Sequence, residues 1–216
     1  MNAIILAAGE GRRMRPLTAN CPKPLLQVKG TALIDYHLQA LASAGVERVV
    51  INLFYLGEMI KSHVGDGSRY GLRVVYSEET VLLETAGGIR QALGLLAESA
   101  PFVLVNGDVF TDFDFSTLSL AEGIQGHLVM VENPAHHPAG DFAIDSKGRL
   151  SLTGKRFTYA GIGMFSPAFF AGGPVGYQKL RVLLEPAISA GLLTGSLHSG
   201  VWNDVGSPER LHRLNQ

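Results

Sequence analysis

Along the first half of the chain, continuous apolar runs of strand length alternate with stretches of helical period. Residues 3–8 form the first run, and 46–53, 72–76 and 102–105 follow it. Between them, Leu33, Leu38, Leu41 and Ala42 mark one face of a helix, with Thr31 as its expected N-cap and Gly45 as its stop. A short helix is expected around residues 57–63 and a longer one over 86–97. Strands that are apolar on both faces and separated by helices predict a parallel sheet covered on both sides. Sheets of that doubly wound kind bind ligands at the carboxyl ends of their strands.

Beyond Asp108 the pattern changes. Residues 127–132, 142–145, 149–152 and 158–165 read as strands, the middle two joined by the turn Ser146-Lys147-Gly148. Helices are expected over 115–121 and 179–190. A closing helix follows, with Ser207 as cap and Pro208 in its first turn. No repeat, linker or low-complexity segment interrupts the chain. The expectation is one α/β domain over residues 1–216, made of halves 1–110 and 111–216 on a single sheet, the second half more antiparallel.

At 216 residues such a domain buries about 70% of its unfolded surface, enough for a real core. Lys and Arg number 18 against 19 Asp and Glu, so bulk charge gives no case for nucleic acid. The first apolar run ends at Gly9, too early for a secretion signal or a membrane span, and no basic segment precedes it. The single cysteine, Cys21, excludes an internal disulfide framework and fits a reducing compartment. These features lead us to expect a cytoplasmic protein that binds neither nucleic acid nor membrane.

Chemistry concentrates in the segment after the first run, Gly9-Glu10-Gly11-Arg12-Arg13-Met14-Arg15-Pro16, with Cys21-Pro22-Lys23-Pro24 close behind. Gly9 and Gly11 remove side chains where a ligand would meet backbone N–H groups. Arg12, Arg13, Arg15 and Lys23 supply positive charge around them. A polyphosphate is the ligand that such a cradle suits. The P-loop pattern fails because Gly11 is followed by Arg12-Arg13, and the dinucleotide fingerprint fails because Met14 stands where a third glycine is needed.

The segment from Leu6 to Thr18, with Pro22-Lys23-Pro24-Leu25, resembles the pyrophosphorylase motif of sugar-1-phosphate nucleotidyltransferases. Gly65-Asp66-Gly67, Glu84-Thr85-Ala86-Gly87-Gly88, Asn106-Gly107-Asp108 and Trp202-Asn203-Asp204-Val205-Gly206 continue the resemblance in order along the chain. Within that family the chain most resembles N-acetylmuramate 1-phosphate uridylyltransferases, through the segment from Asn133 to Phe142. The resemblance implies a Rossmann-like α/β fold akin to GT-A glycosyltransferases, with a mixed, mainly parallel sheet and helices on both faces. It implies UTP and a sugar 1-phosphate as substrates, Mg²⁺ as cofactor, and a monomer or weak dimer.

The resemblance also assigns roles residue by residue. Ala7, Ala8, Gly9, Gly11, Arg12, Arg13, Lys23, Glu79, Thr85, Gly87 and Gly88 would bind the nucleotide, with Arg13 and Lys23 acting on the reacting phosphates. Asn106, Gly140, Asp141 and Gly161 would meet the sugar, and Asp108 and Asp204 would hold the metal. Glucose or mannose 1-phosphate with dTTP, UTP or GTP is the alternative within the family. A non-catalytic nucleotide-sugar sensor is the alternative outside it, disfavoured because Arg13, Lys23, Asp108 and Asp204 are all present.

Three other features compete. Asp112-Phe113-Asp114 has the Asp-x-Asp form of metal-dependent glycosyltransferases, but a helix cap explains it more simply. Adjacent His136 and His137 on an extended segment point to opposite sides and make a poor chelate. Cys21 sits near Lys23, which would lower its pKa, although an incidental loop thiol is the preferred reading.

Overall fold

The computed structural model describes residues 1–96, 100–173 and 176–216. The first half comprises β1 (Asn2–Leu6), the short hairpin β2 (Gln27–Val28) and β3 (Thr31–Ala32), and α1 (Leu33–Ser43). It continues with β4 (Arg48–Leu53), α2 (Gly57–Val64), β5 (Arg73–Glu78), α3 (Glu84–Leu93) and β6 (Phe102–Asn106). The second half holds β7 (Val109–Thr111), β8 (Gly126–Val131), β9 (Phe142–Ile144), β10 (Leu150–Ser151) and β11 (Arg156–Phe165). It closes with α4 (Arg181–Ser189), β12 (Leu193–Leu197), β13 (Trp202–Asp204) and α5 (Pro208–Leu214).

One mixed sheet runs through both halves. Strands β6, β1, β4 and β5 lie side by side and parallel. The ten-residue β11 joins the halves: its end pairs antiparallel with β6, its start with β9, and β8 runs along its other edge. Alternation along the central strands sorts the core into two layers. Ile5, Val103 and Val105 face Ile34, Leu38 and Leu41 of α1 and Ile60 of α2. Ile4, Phe102 and Leu104 face Ile89 of α3 and Leu184 and Ile188 of α4. Strands buried on both faces in this way must be apolar throughout, which is why they read as continuous runs. Truncating Ile4 or Leu104 to alanine would cost about 2–5 kcal/mol.

A separate ribbon positions the chemistry. β7 and β13 pair antiparallel with Asp204 opposite Val109, and the Val205 N–H donates to the Asp108 carbonyl at 2.9 Å. A third, smaller core of Met14, Leu26, Val28, Leu33, Val205 and Leu211 seats α5 and this ribbon beneath the loop after β1.

The structure departs from the expected elements at several points. Thr31 is not the cap of α1; it pairs with Val28 in the small hairpin, and Ala32 takes the cap position. The helix expected over 115–121 is one 3-10 turn, Phe115–Thr117. Its Ser and Thr residues hydrogen-bond locally and do not propagate a helix. Strand β12 was not expected; it pairs parallel with β8 at the sheet edge. The end of the helix expected over 86–97, at Ala97, lies outside the described residues. Gly45 does stop α1, with φ of 77°, and the Ser207 side chain caps α5 with Pro208 following.

Candidate active site

A cleft of about 380 Å³ opens at the carboxyl ends of β1, β4 and β6, within the range of small-molecule sites. Its floor is the loop after β1, where Ala7, Ala8, Gly9 and Gly11 all line it. Gly11 takes a left-handed conformation with φ of 61°, which lets the chain enter the 3-10 turn Arg12–Met14. The Thr18 hydroxyl donates to the Gly11 carbonyl at 2.8 Å, and buried Met14 anchors the turn from below. A side chain at Gly9 would project into open space.

The loop presents its charges unequally. Arg12 is exposed and paired with Glu10. Arg13 lines the cleft and has no side-chain partner among the described residues. Lys23 is buried at its own 3-10 turn between Pro22 and Pro24. Its ammonium lies 2.5 Å from Asp108 Oδ2, so one cation and one carboxylate meet on the cleft floor.

The ribbon brings the second acid alongside. Asp204 ends β13 opposite Val109, one residue on from Asp108, and its Oδ1 accepts from Arg210 Nη1 at 2.5 Å and lies 3.2 Å from His136 Nε2. Two carboxylates from adjoining strand ends suit a hard divalent cation that completes its shell with phosphate oxygens and water. Among the described residues no cluster of three or more His, Cys, Asp or Glu could cage a metal unaided. Behind the Asp108 turn, His37 of α1 is wholly enclosed. Burial pushes its pKa down to about 4, against the opposing pull of Asp108 and a hydrogen bond to the Val109 backbone.

The opposite wall is built by a residue that sequence reasoning missed. Asn52, at the end of β4, accepts from the Ala7 N–H at 2.7 Å and donates to Glu79 Oε1 at 2.8 Å. Glu79 Oε2 in turn accepts from the Leu83 N–H at 3.0 Å, and burial raises the Glu79 pKa. One amide thus ties the phosphate-type loop to the segment leading into α3. Asn52 and Glu79 both line the cleft, with Leu82, Glu84 and Thr85. Gly87 and Gly88 lie beneath this wall: Gly88 leaves the space that Asn52 and Glu79 fill, and Gly87 packs against the Gly176 carbonyl.

The residues expected at the sugar divide into two groups. Asn106 lines the cleft beside Asp108. Gly161, with φ of 73° at the irregularity of β11, leaves just enough room for the Asn106 side chain. Gly140 and Asp141 are not among the residues that line the cleft. Asp141 Oδ2 accepts from the Tyr159 N–H at 2.9 Å, while Oδ1 lies 3.3 Å from both Arg181 and His137.

The competing features resolve in physical terms. Asp114 caps the Phe115–Thr117 turn through Ser116, and Asp112 pairs with His198 at 2.9 Å. His136 and His137 go to different partners, Asp204 with Arg210 and Asp141 respectively. The Cys21 thiol is pushed up by burial rather than lowered by Lys23.

A profile of the nucleotidyl transferase family matches residues 2–142. The N-acetylmuramate alpha-1-phosphate uridylyltransferase of Neisseria meningitidis serogroup B is 47% identical, over 98% of this chain and 95% of that protein. The protein of the same description from Caulobacter vibrioides is 34% identical over 96% and 92%. The crystal structure of HddC from Yersinia pseudotuberculosis shares the fold, with a TM-score of 0.80 at 21% identity over 99% and 97% of the two chains. The loop, the lysine and the paired aspartates therefore sit in a chain that belongs to the sugar-1-phosphate nucleotidyltransferases.

Proposed function

We propose that this protein transfers a uridylyl group from UTP to N-acetylmuramate α-1-phosphate, giving UDP-N-acetylmuramate and pyrophosphate. The observation that carries the reaction type is the Lys23–Asp108 contact on the cleft floor, beside the Gly9–Gly11 loop. The 47% identity to a relative of that description, across nearly the whole of both chains, supports the acceptor and the base.

A phosphate oxygen of the sugar 1-phosphate attacks the α-phosphorus of UTP in line. The bond from that phosphorus to the α–β bridging oxygen breaks, and pyrophosphate departs. The step needs no protein nucleophile; catalysis is positioning plus neutralisation of charge. The Ala7–Gly11 backbone cradles the triphosphate, Arg12 and Arg13 reach its outer phosphates, and Lys23 lies between the α-phosphate and the incoming sugar phosphate. Glu79 and Thr85 border the base and ribose, with Gly87 and Gly88 setting the wall behind them. Asn106, supported by Gly161, and the Gly140–Asp141 loop form the sugar side.

Asp108 and Asp204 would hold Mg²⁺, which supplies further positive charge to the reacting phosphates. The reading makes the chain one catalytic domain, working as a monomer or weak dimer in the cytoplasm and returning muramate to cell-wall synthesis. No helix among the described residues is long and apolar enough to cross a membrane.

Pyrophosphate release across a matrix of nucleoside triphosphates and sugar 1-phosphates tests the proposal. The expected maximum of kcat/KM is at UTP with N-acetylmuramate 1-phosphate. Equal or better rates with glucose or mannose 1-phosphate would overturn it.

A further inference from the structure

N-acetylmuramate differs from N-acetylglucosamine by a lactyl ether that adds one carboxylate. A site that selects it needs a cation on the sugar side, away from Arg12, Arg13 and Lys23, which serve the triphosphate. Arg181 is a poor candidate. Its Nε donates to Glu185 at 2.7 Å, its Nη1 lies 3.3 Å from Asp141, and the guanidinium stacks on the Phe142 ring. Two acids already answer its charge.

Arg210 is placed differently. It projects from α5 with its side chain only 15% exposed. Its guanidinium presses on Gly206, whose backbone lines the cleft, so closely that a Cβ there would collide with it. Among the described residues Nη1 makes the hydrogen bonds to protein, to Asp204 and to the His136 ring at 2.7 Å, while Nη2 packs on Gly206. Among the described residues no protein acceptor meets Nε or Nη2, which leaves part of a bidentate fork unused. Among the described residues the acid in ion-pair contact with Arg210 is Asp204, the carboxylate proposed to hold the metal. Once that charge is shared with a divalent cation, Arg210 is left partly buried beside histidine and without a full counter-charge. An acidic sugar supplies the missing charge and a neutral one does not.

We infer that Arg210, steadied by His136, is the specificity-determining residue that binds the lactyl carboxylate of the acceptor sugar. The inference rests on the N-acetylmuramate reading above. The loop carrying His136 is tied to the site through Asp204 and through the guanidinium that Asp204 shares.

Binding of the nucleotide-sugar products tests it without turnover. Affinities for UDP-N-acetylmuramate, its lactyl methyl ester and UDP-N-acetylglucosamine are measured by calorimetry on the full chain with Mg²⁺. Trp202, the only tryptophan, gives a second readout by fluorescence. The wild-type protein is expected to bind the acid about tenfold more tightly than the ester or UDP-N-acetylglucosamine, as a charge-assisted pair would give. Arg210→Met is expected to lose about tenfold for the acid and less than twofold for UDP-N-acetylglucosamine. Equal losses for both ligands would mean that Arg210 acts only through Asp204, and would overturn the inference. The ester comparison uses unaltered protein, so it decides even where the variant fails to fold: an ester bound as tightly as the acid refutes the idea. Turnover that favours glucose or mannose 1-phosphate would remove the acceptor assignment as well. A retained muramyl preference in Arg210→Met would remove only the role of Arg210.

Discussion

Lys23 and Asp108, 85 positions apart in sequence, touch at 2.5 Å on the floor of the cleft. The lysine comes from the loop after β1 and the aspartate from the turn after β6. Because β1 and β6 are parallel neighbours in register, with Leu6 beside Asn106, their carboxyl ends deliver the two groups to one point. The contact is therefore a product of sheet order.

Removing that cation should be costly to chemistry and cheap to folding. Lys23→Ala is expected to lower kcat by roughly 10²–10³, the scale seen when one preorganised group at a developing charge is lost. Thermal unfolding should still show one cooperative transition. Near-normal turnover at saturating substrates would rule out the assigned role.

The paired carboxylates should reveal themselves through metal dependence. Asp108→Asn and Asp204→Asn are each expected to raise the Mg²⁺ concentration needed for half-maximal rate, because an amide is a weaker ligand. Asp112→Asn and Asp114→Asn, whose carboxylates serve His198 and the Phe115–Thr117 turn, should leave the titration curve in place. The reverse ranking in the same titration would favour the Asp-x-Asp reading.

Asn52 has no assigned chemistry, yet it joins two walls. Asn52→Ala leaves the Ala7 N–H and the buried Glu79 carboxylate short of partners, at a cost of about 1–3 kcal/mol for each unsatisfied group. The loop it restrains should also hold nucleotide less well, so KM for the triphosphate is expected to rise more than kcat falls. Urea denaturation together with steady-state kinetics would show whether both effects occur.

His37 makes a prediction about pH. Its folded pKa, about 4, lies below the ordinary value, so the unfolded chain binds the extra proton first. Its contribution is intact above the ordinary histidine range and is lost as pH falls through it, down to the folded value. The loss should reach about 2 kcal/mol by pH 5. His37→Gln is expected to show a flatter fall in stability between pH 7 and pH 5. An unchanged slope in urea titrations at the two pH values would count against this account.

The parts of the fold legible in the sequence were those encoded locally. The continuous runs at β1, β4 and β6 announced strands buried on both faces, and the glycines and basic residues of the first loop announced a ligand cradle. Asn52 was silent, since an asparagine at a strand end looks like any turn former, and its partners lie 45 and 27 positions away. Strands β7 and β13 have three residues each, too few for any periodicity. Strand β12, with threonine, glycine and serine in its middle, carries no apolar signature because it closes the edge of the sheet. Thr31 had the chemistry of a cap, but pairing with Val28 claimed it first.

The β7–β13 ribbon has a consequence for synthesis. In synthesis from the N-terminus forward, the residues of the phosphate cradle and Lys23 are made ahead of every strand and α-helix of the domain except β1. Asp204 and Arg210 are made after every strand of the main sheet, and they are aligned only when β13 zips onto β7. Nascent protein therefore carries the residues of the anion cradle before the proposed second metal ligand, but the loop is set only once Asn52 and the core around Met14 are in place. Catalytic competence should switch on in one late step, which release of stalled chains of graded length would reveal.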